Sequence, residues 1–130
     1  MPRYFILEEA ARLLPRLTEI LLAMQARKRE LDGFRQDLAE AAAQAAGDGH
    51  LQERDLARKR TAVEEAASTL SDMARQITDL GCELKGIDEG LIDFRALREG
   101  REVYLCWRLG EERIAFWHDI EAGFGGRQPL

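Results

Sequence analysis

Apolar residues recur in sevens over the first two thirds of the chain. Leu17, Met24, Leu31, Leu38 and Ala45 form one series, with Ile20, Phe34 and Ala41 three residues on; after a break, Leu56, Val63, Leu70 and Ile77 form another, with Ala66, Met73 and Leu80. Such heptads predict two long amphipathic helices. A shorter helix is expected before them from Leu7, with Glu8 and Glu9 in its first turn where the dipole favours carboxylates. It should run to about Leu14, with Pro15 either kinking one helix or separating two. Gly33 weakens the first long helix by about 1 kcal/mol relative to Ala. Gly47, Asp48, Gly49 and His50 predict a turn, with His50 at an exposed tip, and Gly81 a C-cap. Folding the chain at 47–50 sets Leu17 opposite Leu80, Ile20 opposite Ile77, Phe34 opposite Val63 and Ala41 opposite Leu56, so the seams face each other in an antiparallel hairpin.

The period changes after Gly81. Cys82 to Lys85 and Gly90 to Asp93 read as two short strands around a turn at 86–89. Asp93 then reads as the N-cap of a short helix, Phe94 to Arg98, closed by Gly100. Val103, Leu105, Trp107 and Leu109 alternate with Tyr104, Cys106 and Arg108, which is strand spacing. A further strand is expected over Arg113 to Trp117, with Ile114 and Phe116 on one face, followed by an ordered coil rich in Gly123, Gly125, Gly126 and Pro129. The fold class is therefore α+β, mostly α. Residues 1–80 form the hairpin and 81–130 a small antiparallel β cap on its base, within one structural domain.

The apolar stripe is broad at the hairpin base (Leu13, Leu14, Leu17, Ile20, Leu21, Leu22, Met24) and thins to alanines towards the tip, where it admits Arg27 and Lys59. Two helices cannot cover so wide a stripe, so it is expected to pack on the cap, on a second copy, or on both. A homo-oligomer formed through the hairpin, that is, a non-enzymatic self-associating module, is the leading functional expectation.

Composition narrows the rest. The net charge of −5 is spread evenly, 12 Lys/Arg against 14 Asp/Glu before Gly81 and 7 against 10 from there on, which disfavours nucleic acid as a partner. No apolar run is long enough to span a membrane, and the opening residues do not read as a signal peptide, so a cytoplasmic protein with reduced thiols is expected.

Six of the nine aromatic residues, both Trp, both Cys and His118 lie in the last fifty residues, so any site is expected there. The metal candidates are His118, Asp119 and Glu121, against the simpler reading that His118 bonds locally. Candidates for a small-molecule ligand are Cys82, Glu83, Trp107 and Arg127. Gly123 to Arg127 could surround an anion, although a terminal turn with Arg127 paired to a structural carboxylate explains the same letters. Cys106, on an apolar strand, is expected to be inert. No Ser-His-Asp or Cys-His order is legible, and neither a catalytic residue nor a cofactor is specified. A small-molecule or metal site in the cap is the alternative to the assembly reading.

The opening Phe5 to Pro15, of the FxLEEAxxLLP type, and the runs GCELK, GLIDF, GREVYLCWRLGE and FWHDIEAGFGGRQPL resemble a family of small prokaryotic proteins catalogued as a domain of unknown function. The resemblance covers nearly the whole chain and implies no activity, cofactor or catalytic residue. One departure is Ile6, where similar sequences lead one to expect a threonine N-cap.

Overall fold

A computed structural model describes residues 3–45 and 50–130. Among the described residues three helices precede five strands: α1 (Leu7–Arg12), α2 (Leu14–Gln44), α3 (His50–Asp79), β1 (Glu83–Gly86), β2 (Leu91–Arg98), β3 (Arg101–Arg108), β4 (Phe116–Asp119) and β5 (Gln128–Pro129), with a 3₁₀ turn at Phe124–Gly126. The protein is α+β and mostly α. Of the turn expected at 47–50, residues 47–49 lie outside the described residues, and His50 is the first residue of α3, its side chain also outside the description.

Pro15 separates two helices. α1 ends at Arg12, Leu13 makes a turn, and Pro15 becomes the second residue of α2, in the first turn where a missing N–H leaves no helical bond unmade. Ile6 is indeed the N-cap of α1, and it has no side-chain acceptor to offer; its own N–H instead donates to Glu9 Oε1 at 3.1 Å, half of a capping box. α2 passes through Gly33 without interruption. At its end α3 is closed by Gly81, whose φ of +93° is open to glycine and whose N–H donates to Thr78 O at 2.9 Å.

The chain forms two compact units, Met1–Leu22 with Ala74–Leu130, and Ala23–Met73. In the second, a thin seam buries Leu31 and Ala66 and leaves Phe34, Leu38, Leu56 and Val63 half-buried. Phe34 shares a cleft with Ala62 and Ala66, and Ala41 shares one with Asp55 and Lys59, in keeping with an antiparallel pairing of the two arms. The charges admitted into the seam have local partners: Lys59 with Asp55 at 3.2 Å and Arg27 with Glu30 at 2.8 Å.

In the first unit Leu14, Leu17, Ile20, Leu21 and Ile77 are buried, as is the apolar face of the sheet. The strands follow one another in the order β1-β2-β3-β4-β5, all antiparallel. Register puts Ile92, Phe94 and Ala96 of β2 opposite Trp107, Leu105 and Val103 of β3, with Trp117 of β4 beyond Leu105. Phe5 from the N-terminal segment meets Phe94 edge-on, 5.3 Å between ring centres, and its N–H donates to Arg95 O.

Three expectations are corrected here. Phe94 to Arg98 is not a helix: it is the second half of β2, and Glu99 and Gly100, both at positive φ (53° and 79°), make a two-residue hairpin turn into β3. An aspartate followed some residues later by a glycine suits a capped helix and a strand with a tight turn equally. Here the alternation of Ile92, Phe94 and Ala96 towards the core decides for the strand. The next strand starts at Phe116, not Arg113, because Ile114 is buried from a connecting segment while Phe116 and Trp117 take opposite faces. The final segment is not all coil as expected, since a 3₁₀ turn forms at Phe124–Gly126 and Gln128 and Pro129 add an edge strand to β4.

Candidate functional site

The second face of the sheet is formed by the alternate residues of the same strands. Reading across the strands, the rows are Leu91 and Arg108; Asp93, Cys106 and Phe116; Arg95, Tyr104 and His118; and Leu97 and Glu102. Titratable groups thus alternate residue by residue with the core. Two of them, Asp93 and His118, are 2% exposed, and they are the buried polar residues of the described chain.

His118 and Asp93 are bonded to each other. His118 Nδ1 lies 2.8 Å from the carbonyl oxygen of Asp119, which can only accept, so Nδ1 carries a hydrogen. That leaves Nε2 facing Asp93 Oδ2 at 3.0 Å, and this contact needs one proton shared between an imidazole and a carboxylate. Cys106, fully buried, stands directly across from Asp93 on β3. Its thiol is pushed up to about 12, first by burial and then by the charge of the Asp93 carboxylate beside it. Ligand atoms of Asp93, Cys106 and His118 all lie within 4.8 Å of one another. Asp93 Oδ1 is buried and has no hydrogen-bond partner, which costs free energy; among the described residues Gln52 Oε1 and Arg127 Nε are buried without a partner as well.

Beside this cluster runs a charged network. Arg95 donates to Glu102 at 3.3 Å and to the Tyr104 hydroxyl at 3.0 Å; Tyr104 donates to Glu83 at 2.9 Å, Lys85 pairs with Glu83 at 3.2 Å, and Tyr4 donates to Glu102. Burial raises the Glu83 carboxyl, but the bonds from Tyr104 and Lys85 and the Arg95 charge outweigh it and hold the group below its ordinary value. The Tyr104 ring lies 5.4 Å from that of His118.

The sequence-predicted residues do not converge on one cavity. Of the metal candidates only His118 is in the buried cluster: Asp119 pairs with Arg101 at 3.1 Å and contributes its carbonyl, and Glu121 is exposed. Trp107 is a core residue whose Nε1 donates to Glu111 O at 2.9 Å. Cys82 is buried and its thiol is likewise pushed up to about 12 by burial, so it is a poor nucleophile. It precedes β1, two strands from Cys106, a gap of about 10 Å that a disulfide cannot bridge, and both cysteines are free. Glu83 belongs to the charged network. Arg127 Nη2 donates to the Glu111 carboxylate, 2.7 and 2.9 Å from its two oxygens, and lies 3.3 Å from Cys106 O, with the guanidinium over Phe116 and Phe124. The terminal turn paired to a structural carboxylate is what forms.

Asp93 and Cys106 were missed as partners of His118. The three are separated by a dozen or so residues each, with no spacing motif, and the letters around Asp93 suit a helix cap. The signal that finds them is the turn at Glu99 and Gly100, since counting outward equally from it pairs Asp93 with Cys106.

No described helix is long and apolar enough to cross a membrane. No curated protein and no solved structure matches this chain. A family model does match, over residues 3–130, and the chain therefore belongs to the family described as uncharacterized conserved protein (DUF2203).

Proposed function

We propose that the sheet binds a divalent transition-metal ion of the zinc class on Asp93, Cys106 and His118, with the helices as its scaffold. The observation that carries this reading is the convergence of three buried ligand atoms within 4.8 Å, one of them on a carboxylate whose other oxygen is buried and unpartnered. Thiolate, imidazole and carboxylate together suit zinc and its neighbours rather than calcium or magnesium. An ion there would replace the proton shared by His118 and Asp93 and the proton of the Cys106 thiol, so binding should release protons. The bond from His118 Nδ1 to the Asp119 carbonyl orients the ring and presents Nε2, the role that outer-shell partners take around metals. Three protein ligands would leave a fourth position for water or a ligand.

The self-association reading rested on a surplus apolar stripe. Burial of Leu14, Leu17, Ile20, Leu21 and Ile77 within the chain removes most of that surplus, and among the described residues of the stripe only Leu22, at 54%, is an exposed large side chain.

The metal reading is tested by elemental analysis of untagged protein purified without chelator, and by titrating chelator-treated protein with Co²⁺. Stoichiometric metal, and a thiolate-to-cobalt charge-transfer band that disappears in Cys106→Ser, is the expected result. Wild-type protein that neither retains metal nor develops the band would sink the reading.

A further inference from the structure

Leu91 and Arg108 form the next row along the same sheet face from Asp93 and Cys106, about 7 Å along the strands. Glu89, from the turn before β2, and Phe124, from the 3₁₀ turn, complete a half-open pocket of about 280 Å³ lined by these four residues. Arg108 and Glu89 take part in no ion pair among the described residues, unlike Arg95, Arg101, Arg127 and Lys85 but like Arg98, which lies over the Trp117 ring. A cation and an anion are thus both presented to one pocket without neutralising each other, with Leu91 and the Phe124 ring as its apolar lining. The ring is held in place: Arg127, locked onto Glu111, lies 4.6 Å from it, and Arg108 lies 5.9 Å away on its own account.

We infer that this pocket binds a small zwitterion with an apolar body, of the class of free apolar α-amino acids. The carboxylate takes the Arg108 guanidinium, whose fork matches it; the ammonium takes Glu89; the side chain lies against Leu91 and Phe124. The volume, just below the range of about 300–1,000 Å³ typical of drug-sized ligand sites, suits a single amino acid and not a peptide. A ligand with one charge would leave the other rim group unpaired, so specificity follows from the pair. This goes beyond the metal reading and does not depend on it.

The experiment is a heteronuclear NMR titration with L-leucine, 4-methylpentanoate, which lacks the ammonium, and isoamylamine, which lacks the carboxylate. Leucine should bind saturably and shift the Leu91 and Phe124 signals, with either truncated compound weaker by about tenfold or more. Arg108→Gln and Glu89→Gln, both at exposed positions and checked for folding by circular dichroism, should each weaken leucine about tenfold, whereas Glu89→Gln should leave 4-methylpentanoate unaffected. Absence of saturable leucine binding at millimolar concentration, equal binding of the truncated compounds, or leucine affinity unchanged in both variants would overturn the inference. Co²⁺ titration of the same samples reads the metal site separately, so either proposal can fail alone.

Discussion

The two faces of the sheet are made by the same strands, residue by residue in alternation, and they differ in almost everything else. One face carries Ile92, Phe94, Ala96, Val103, Leu105, Trp107 and Trp117, packed out of water. The other carries Asp93, Arg95, Tyr104 and His118, and it too is buried in part. Burial on the first face needs only shape, whereas on the second it demands a partner for every polar atom. The first face therefore holds the fold, and the second is where an unmet demand, Asp93 Oδ1, points to chemistry.

The largest expected effect lies on the apolar face. Phe94→Ala should cost about 3–5 kcal/mol in urea unfolding, since a fully buried aromatic leaves a cavity. A loss below about 1 kcal/mol would mean that this face is not the core.

Alkaline pH should come next and act on both cysteines together. Their pKa values are raised to about 12 in the folded state from an ordinary value of 9.0, so the native protein keeps thiol protons that the unfolded chain loses. Stability should be intact below about pH 9 and fall between there and pH 12. Denaturant midpoints across that range check it, and a Cys82→Ala, Cys106→Ala double variant should flatten the decline.

Gly90→Ala should cost about 2–3 kcal/mol, because φ is +66° and the new methyl would sit 2.4 Å from Leu109 Cβ, in a turn whose carbonyl receives the Leu109 N–H. Gly33→Ala, on an exposed face of α2 with nothing within 4 Å of the added carbon, is the reference outside the sheet and should stabilise by about 0.5–1 kcal/mol.

The sharpest test of the contrast is Asp93→Asn. An asparagine amide donates to the His118 Nε2 lone pair without needing a shared proton, so metal-free stability should change by less than about 1 kcal/mol. Metal affinity should nevertheless fall by at least about 100-fold. A large stability loss with metal retained would make Asp93 a structural residue like those of the opposite face.

Much of this was legible in the chain. The helix pair, Gly81, the strand at β3 and the family follow from heptads, a helix-ending glycine, strict alternation and shared runs of residues. Local letters failed where two structures use the same ones, as at Asp93 to Gly100, and where a strand's start depends on which residues a neighbour pairs with, as at Phe116.

By itself the sequence determined the periodic elements and the concentration of chemistry in the last fifty residues, because periodicity and composition are local properties of a chain. Tertiary structure alone decided that His118 meets Asp93 and Cys106 rather than Asp119 and Glu121, and that Arg108 and Glu89 share a pocket. Strand register sets those meetings, and register depends on pairing between residues far apart in the chain, so neighbours in sequence such as His118 and Asp119 are sent to opposite faces while the ligand atoms of residues a dozen or more apart are brought within 4.8 Å of one another.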